Sequence, residues 1–367
     1  MKSKIIINYL PQYHSIPEND QWWGKGFTDW ISVKNAKPLY EGHNQPRIPK
    51  NNHYYSLDDV NEIRKQAEMA REHGIYGFGI YHYWFNSNLQ LLQKPAELIR
   101  DNRDIDINYL FLWDNATWKR TWSNVKHAND WAPGQDSASD TEQKGTGILA
   151  ELIYGTEKDW KIHYDYLATF FKDDRYIKIE NKPVFGFFQP INDLETLKKM
   201  VNYWNMLAIN DGFNGVFCMS RDNYLHKDLD FKFRYTPLVP NTKISYLRYK
   251  LIDLFAAKTK RIRFYDYDYE WKKIISEAKT SDSKTFLSGF VSFDDTPRRG
   301  VKGRVVRGAT PEKFQKYVKE LVGISEKQNK ELVFITAWNE WGEGAYMEAD
   351  TVYGIEYLQA LKSAIEE

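Results

Sequence analysis

Eight short apolar runs, each closing on polar or aromatic residues, limit what this chain can fold into. They are KIIINYL (4–10), YGFGIYHYW (76–84), INYLFLW (107–113), KPVFGFF (182–188), GVFCMS (215–220), a weak FKFRYTPLV (231–239), TFLSGFVSF (285–293) and ELVFITAW (331–338). Amphipathic helical segments fall between or after them, clearest at 58–73, 157–172, 193–207, 263–278, 310–327 and 354–366. SLDDVNEIRKQAEMAREHG places a Ser ahead of acids and closes at Gly74, while TPEKFQKYVKELVGI opens on Thr310, Pro311 and Glu312. Both are helix start and stop patterns. Strands alternating with helices predict a parallel sheet with helical crossovers. Eight such units in 367 residues predict an α/β fold, a single (β/α)8 barrel over residues 1–367 with long loops at the carboxyl ends of its strands. A doubly wound open sheet is the runner-up. It is weakened by LPQYHSIP, which follows the first run where a glycine-rich phosphate loop would stand. The hydrophilic stretch 123–147 reads as a long excursion from one strand end.

Charge narrows the function classes. The formal net charge is +1, which argues against a nucleic-acid or anionic-membrane protein. The densest basic run, KTKRIR (258–263), is short and reads as a solvated helix end. Cys218 is the only cysteine, so neither an intrachain disulfide nor a thiolate metal cage can form. Its apolar surroundings, GVFCMS, predict a buried inert thiol. The apolar run near the start stops at Pro11, too short for a signal peptide, and no stretch approaches the length of a membrane span. The expected location is the cytoplasm, with no membrane insertion. Aromatic residues make up 16% of the chain, including 13 Trp and 25 Tyr. Flat apolar faces with polar edges suit sugar rings, although a rich aromatic core is the plainer explanation.

In a parallel barrel the carboxyl ends of the strands carry the site. Here those ends lead into PQYH and NDQWWGKGFTDW, YHYWF, WDNATWKRTW, FQP, FDDTPRR and WNEWGEG. Seven Trp (22, 23, 84, 113, 118, 338 and 341) gather there with carboxylates, His and Arg. Candidate substrate-binding residues are therefore His14, Trp22, Trp23, Tyr81, His82, Trp84, Trp113, Asn115, Trp118, Arg298, Trp338, Asn339 and Trp341. In AWNEWGEGAYMEAD (337–350), Glu340 and Glu343 stand three apart, and a bend permitted by Gly342 and Gly344 would turn both into one cavity. Two such carboxyls are the equipment for glycoside cleavage, one raised in pKa to act as an acid. Glu348 and Asp350 read as ordinary rim residues. No metal-ligand spacing of His or Cys, calcium-loop pattern or GxSxG elbow appears, so no metal or cofactor is expected.

YLPQYHSIPENDQWWGKGFTDW, KPLYEGHNQPRIP, YGFGIYHYWF, DDTPRR and AWNEWGEGAYMEAD together resemble the WbsX-type, glycoside hydrolase family 99-like proteins of bacterial O-antigen and capsule gene clusters. The resemblance runs from about residue 4 to residue 362 and implies the same barrel. Family 99 comprises retaining endo-α-mannosidases with an NEWxEG motif. It implies that Glu340 is the base on the sugar's own 2-hydroxyl, which attacks the anomeric carbon, and that Glu343 is the acid/base for the leaving group and water. That participation fits α-manno- or α-rhamno-configured glycans. One segment departs from the pattern: WDNATWKRTW has Ala116 and Thr117 where relatives read Glu and Asn, and an Asp at 114. Trp113, Asn115, Trp118, Arg120 and Trp122 keep it. Two other readings stand beside the retaining glycosidase on an oligo- or polysaccharide. One is a glycosyltransferase with an activated sugar, whose foothold would be Asp294 and Asp295 beside Arg298 and Arg299; the other is a non-catalytic carbohydrate-binding barrel.

Overall fold

Strands buried on both faces need unbroken apolar runs, and the apolar runs of the sequence become the strands of a closed ring. The structure, a computed structural model, describes residues 2–119, 148–188, 193–221, 229–238 and 242–366. The excursion 123–147, the pattern residues Arg120 and Trp122, and the Gln-Pro of FQP lie outside the described residues. Eight parallel strands form the barrel: β1 (Lys4–Tyr9), β2 (Gly77–Asn86), β3 (Asn108–Trp113), β4 (Lys182–Phe187), β5 (Phe217–Arg221), β6 (Phe231–Phe233), β7 (Thr285–Phe290) and β8 (Leu332–Thr336). Each pairs with its sequence neighbours. The ring closes at β1, whose Ile6 is opposite Gly77 of β2 on one side and Phe334 of β8 on the other. The open-sheet alternative is thereby set aside.

Helices cover the outside: α1 (Val60–Glu72), α2 (Lys94–Asp101), α3 (Glu157–Phe171), α4 (Leu194–Asn210), α5 (Lys243–Thr259), α6 (Tyr267–Lys279), α7 (Pro311–Lys327) and α8 (Glu356–Glu366). The Thr310 cap is as expected, its hydroxyl accepting from the Lys313 N–H at 3.3 Å. Helix α1 starts later than its Ser suggests, because Asp59 provides the cap through the Asn61 N–H at 2.9 Å. Helices α2 and α5 are additional to the sequence reading, as are the short helices Pro17–Trp23, Trp30–Asn35 and Thr296–Arg299. The segment expected to begin a helix at 263 instead opens as a strand, Arg263–Asp266, paired parallel to Arg304–Arg307. The helix waits for Asp266, whose carboxylate accepts from the Tyr269 N–H at 2.8 Å.

Inside the ring, Phe334 meets Phe233 at 5.4 Å and Phe286 at 6.2 Å between ring centres, filling the floor. Cys218 is buried and burial pushes its thiol up, so it stays an inert thiol. Among the described residues no helix is long and apolar enough to cross a membrane.

Helix α6 seats Trp271 against β7, its ring stacked on Phe290 at 5.4 Å and on Tyr317 at 5.5 Å. A methyl group at Gly289 would lie 2.5 Å from the Trp271 ring, whereas one at Gly323, in the middle of α7, would meet nothing within 4 Å. Urea unfolding should therefore show Gly289→Ala destabilised by about 1–3 kcal/mol through overpacking. Gly323→Ala should be stabilised by roughly 0.5–1 kcal/mol through helix propensity.

Candidate active site

Beyond β8 the chain turns back on itself. Asn339–Glu340 pairs antiparallel with Ala345–Tyr346, and a 3-10 turn, Trp341–Glu343, joins them. Gly344 closes the turn at φ +56°, a left-handed conformation that a side chain would strain. Gly342 serves differently from the expected bend: a Cβ there would sit 2.6 Å from both Arg298 Nε and Asp29 Oδ2. Its missing side chain lets an arginine approach the turn.

That arginine organises the site. Arg298 Nη1 donates to Glu343 Oε1 at 2.9 Å, and Nη2 donates to Asp29 Oδ2 at 3.0 Å and to Glu340 Oε2 at 3.3 Å. One guanidinium thus serves three carboxyls, so the cluster carries more acid than base. Burial, then the charge of Glu343, raises the Glu340 pKa, against the opposing pull of Arg298. Burial would weaken the Arg298 charge, but the three carboxyls more than offset this and hold it protonated. Tyr13 ties the turn to β1's end: its hydroxyl donates to the Asn339 carbonyl at 2.5 Å and accepts from the Trp341 N–H at 3.2 Å. Tyr235 lies just past β6 with its hydroxyl 3.5 Å from Glu343 Oε2. The Tyr235 and Tyr81 phenols are both raised, by burial first and then by neighbours that include Glu340 and Glu343, so they remain donors.

Of the sequence-predicted residues, the mouth brings together Glu340, Glu343, Arg298 and Tyr81. Trp118 and Trp22 form an adjoining wall, edge to face at 6.2 Å, with Trp118 also against Tyr83 at 5.0 Å. Asp114 belongs to this wall, 3.5 Å from Trp118 Nε1, and its charge helps to raise the Tyr83 phenol after burial. Trp23 packs on Phe27, and Asn115 donates to the Tyr154 hydroxyl at 3.1 Å.

Several others are not rim residues. His82 points outward to α3 and meets His163 Nε2 at 2.8 Å, and burial lowers its pKa to about 3, so the pair is neutral. Trp84 stacks on His163 at 4.2 Å, and Trp113 donates its Nε1–H to the Trp84 carbonyl at 2.8 Å. All three lie in the helix-facing layer, placed there by strand alternation. His14 is buried beside Asp58 and Lys94, with its pKa lowered chiefly by burial. Asn339 is consumed by Leu10, accepting from its N–H at 2.7 Å and donating to its carbonyl at 2.9 Å. Trp338 packs on Phe78, and Trp341 stacks on Tyr346 at 3.7 Å. Both indoles are 1% exposed, so neither is an open sugar platform in this structure.

Glu348 and Asp350 depart from the expected rim positions. Glu348 is buried and accepts from Trp341 Nε1 at 2.6 Å and from the Tyr55 hydroxyl at 2.7 Å. Burial lifts its carboxyl to about 8. Asp350 accepts from the Tyr346 hydroxyl at 2.7 Å. Asp294 and Asp295 are also internal. Asp294 accepts from Gln45 at 2.8 Å and from both polar groups of Thr296, and bonds His43 at 2.9 Å. Burial alone would raise its pKa, but these bonds and the Arg47 charge bring it to about 2. Asp295 holds Arg304 through Nε at 2.9 Å and Nη2 at 2.8 Å, and Arg299 at 3.2 Å. The two aspartates brace the short helix Thr296–Arg299 that aims Arg298. Asp29, Tyr13 and Tyr235 were not singled out from sequence. Asp29 stands in the quoted NDQWWGKGFTDW stretch, and Tyr235 in the middle of the weak run FKFRYTPLV. Among the described residues no group of three or more His, Cys, Asp or Glu is arranged to hold a metal ion.

A family model described as glycosyltransferase WbsX matches residues 5–361. The protein WxcX of Xanthomonas campestris pv. campestris (strain B100) is 25% identical over 377 residues, covering 100% of this chain and 50% of that protein. WxcX of strain ATCC 33913 matches with the same identity and coverage. The chain spans about half the length of these curated relatives. Among solved structures, the GH99 endo-alpha-mannosidase from Bacteroides thetaiotaomicron superposes with a TM-score of 0.54 at 13% identity, over 99% of this chain and 96% of that one. A glycoside hydrolase-like protein superposes at 0.58, with 13% identity over 99% and 94%. At such identities the likeness shows the shared fold. With the family model running from β1 into α8 and the barrel shared with GH99 endo-alpha-mannosidases, this chain belongs to the glycosyltransferase WbsX family.

Proposed function

We propose that this chain is a retaining endo-glycosidase-like enzyme acting on α-manno- or α-rhamno-configured glycans of a surface polysaccharide, with Glu340 and Glu343 as its catalytic pair. The observation that carries the reading is the single Arg298 guanidinium bridging those two carboxyls at the barrel mouth. Glu340 removes the proton of the sugar's 2-hydroxyl, whose oxygen attacks the anomeric carbon from the face opposite the leaving group. Glu343 gives its proton to the departing glycosidic oxygen. Glu343 then takes a proton from water, which opens the 1,2-anhydro sugar, and Glu340 returns its proton to the 2-oxygen. Net retention results.

The electrostatics suit this division. A hydroxyl is a weak acid, and a carboxylate whose pKa has been raised is a stronger base when ionised. Arg298 at 3.3 Å keeps that ionised form accessible. Glu343 is the more open of the two, its side chain 21% exposed against 6% for Glu340, which favours it for meeting leaving group and water. Asp114, two residues before Ala116 and beside Trp118 and Tyr83, is the acid offered for a sugar contact in place of the family glutamate. The glycosyltransferase reading stands as the alternative, with the family description behind it; of the residues offered for it, Asp294 and Asp295 are bonded internally and Arg298 bonds carboxyls.

Incubation with α-mannan and α-rhamnan oligosaccharides should shorten them without any nucleotide sugar. Glu340→Gln and Glu343→Gln should each reduce kcat by roughly a hundredfold or more while the fold is kept. Chain growth that requires a nucleotide sugar would overturn the assignment.

The pH profile assigns the roles. A base works unprotonated, and the Glu340 proton is held above the usual carboxylate range by burial and by Glu343. The value of kcat/KM should therefore rise with pH on a limb displaced above that range. Arg298→Met removes the cation that favours ionised Glu340 and should move the limb higher still. A profile that falls through the same interval would make Glu340 the acid.

A further inference from the structure

We infer that helix α5 docks this enzyme on the surface of an anionic lipid bilayer, lying flat without crossing it. The helix has two apolar faces. Ser245, Tyr249 and Ala256 are buried against the protein, and the Tyr249 hydroxyl donates to Glu270 Oε2 at 2.6 Å, a carboxylate also held by Lys273 at 2.7 Å. The opposite face points to solvent with Ile244 78% exposed, Leu247 56%, Leu251 58%, Leu254 58% and Phe255 61%. These positions recur every three or four residues, so they form one continuous stripe along the helix. Burying them within the protein is ruled out by the anchored inner face.

Charge identifies the occupant. Between Lys243 and Arg261 there are six Lys or Arg residues and one acid, Asp253, in a chain whose formal net charge is only +1. Lys243, Arg248, Lys250, Lys258, Lys260 and Arg261 are all exposed. Asp253 is already paired with Arg263 Nε at 2.8 Å. By helical rotation Arg248 and Lys250 flank the stripe on either side, while Lys243 and Lys258 bracket its ends. Apolar side chains inserted between headgroups, with long cations reaching lipid phosphates around them, are the pattern of an interfacial helix. A second copy fits less well. Antiparallel pairing along the stripe would set Lys243 of one molecule against Lys258–Arg261 of the other, and parallel pairing would align identical cations.

Tyr249 of α5 packs on Tyr265 at 5.3 Å, in the strand Arg263–Asp266 that joins Phe293–Asp294 through Arg304–Arg307 just past β7, so a docked α5 holds that side of the barrel mouth near the lipid. The chemical class of glycan this favours is one carried on a membrane-embedded lipid. Docking itself does not depend on the roles given to Glu340 and Glu343.

The test is co-sedimentation of the whole chain with vesicles of phosphatidylglycerol plus phosphatidylcholine and with vesicles of phosphatidylcholine alone. The protein should pellet with the anionic vesicles and be released by salt. The combined variant Leu247→Ser, Leu251→Ser, Phe255→Ser should bind roughly tenfold more weakly or less, and so should Lys250→Glu with Lys258→Glu. All five positions are solvent-exposed, so circular dichroism should be unchanged, and Glu343→Gln should bind vesicles like the parent. Equal pelleting of the parent and both variants, or none by the parent, would overturn the proposal. So would a dimer in sedimentation equilibrium that the serine variant dissociates while vesicles bind neither.

Discussion

Everything at the mouth of this barrel depends on one guanidinium shared among three carboxyls. Arg298 reaches Asp29 from the loop after β1 and Glu340 and Glu343 from the turn after β8, so it staples the two ends of the chain's ring together where the site lies. A single cation cannot neutralise three clustered acids, and the imbalance falls on the most buried member, Glu340. Removing Asp29 would relieve part of the excess negative charge but free one arm of the clamp. Its position is thus a compromise between charge and geometry. The aspartates at 294 and 295 matter for the same reason: they take no part in the cluster but hold the turn from which Arg298 extends.

The barrel was legible because its causes are local. Each of the eight apolar runs became one strand, and even the weak sixth run contributed Phe231–Phe233 to the ring. The helices left unread have equally local explanations. Helix α2 is only eight residues from Lys94 to Asp101, and α5 carries apolar residues on two opposite faces, which erases the one-sided period that marks an ordinary surface helix. Tertiary partners are another matter. Nothing in the spacing of FTDW says that Asp29 will meet an arginine 269 positions away.

Acids close together in sequence were separated by folding. Of the four carboxyls in AWNEWGEGAYMEAD, two turn into the mouth, while Glu348 fastens Trp341 to Tyr55 and Asp350 fastens Tyr346. The tryptophans divide similarly. Trp338, Trp341, Trp113, Trp84 and Trp118 are buried, while Trp22 and Trp23 keep partial exposure. Aromatic abundance in this chain mostly reflects interior packing by large rings, such as the Trp271–Phe290–Tyr317 stack between α6, β7 and α7, rather than sugar platforms. Gathering residues by strand end ignores side-chain direction, and strand alternation sends every second one to the helix layer, as with His82.

Net charge summed over the whole chain conceals how charge is placed. A balance of +1 excludes a uniformly basic surface, yet it permits a local surplus if acids are spent elsewhere. In this molecule they are: Asp29, Glu340, Glu343, Glu348, Asp294 and Asp295 are all withdrawn from the open surface into clusters or braces. The solvent-facing lysines and arginines of α5 have no such counterweight along their own helix beyond Asp253, which Arg263 already holds. The same folding that concentrates acid at the barrel mouth therefore leaves a cationic, apolar edge beside it.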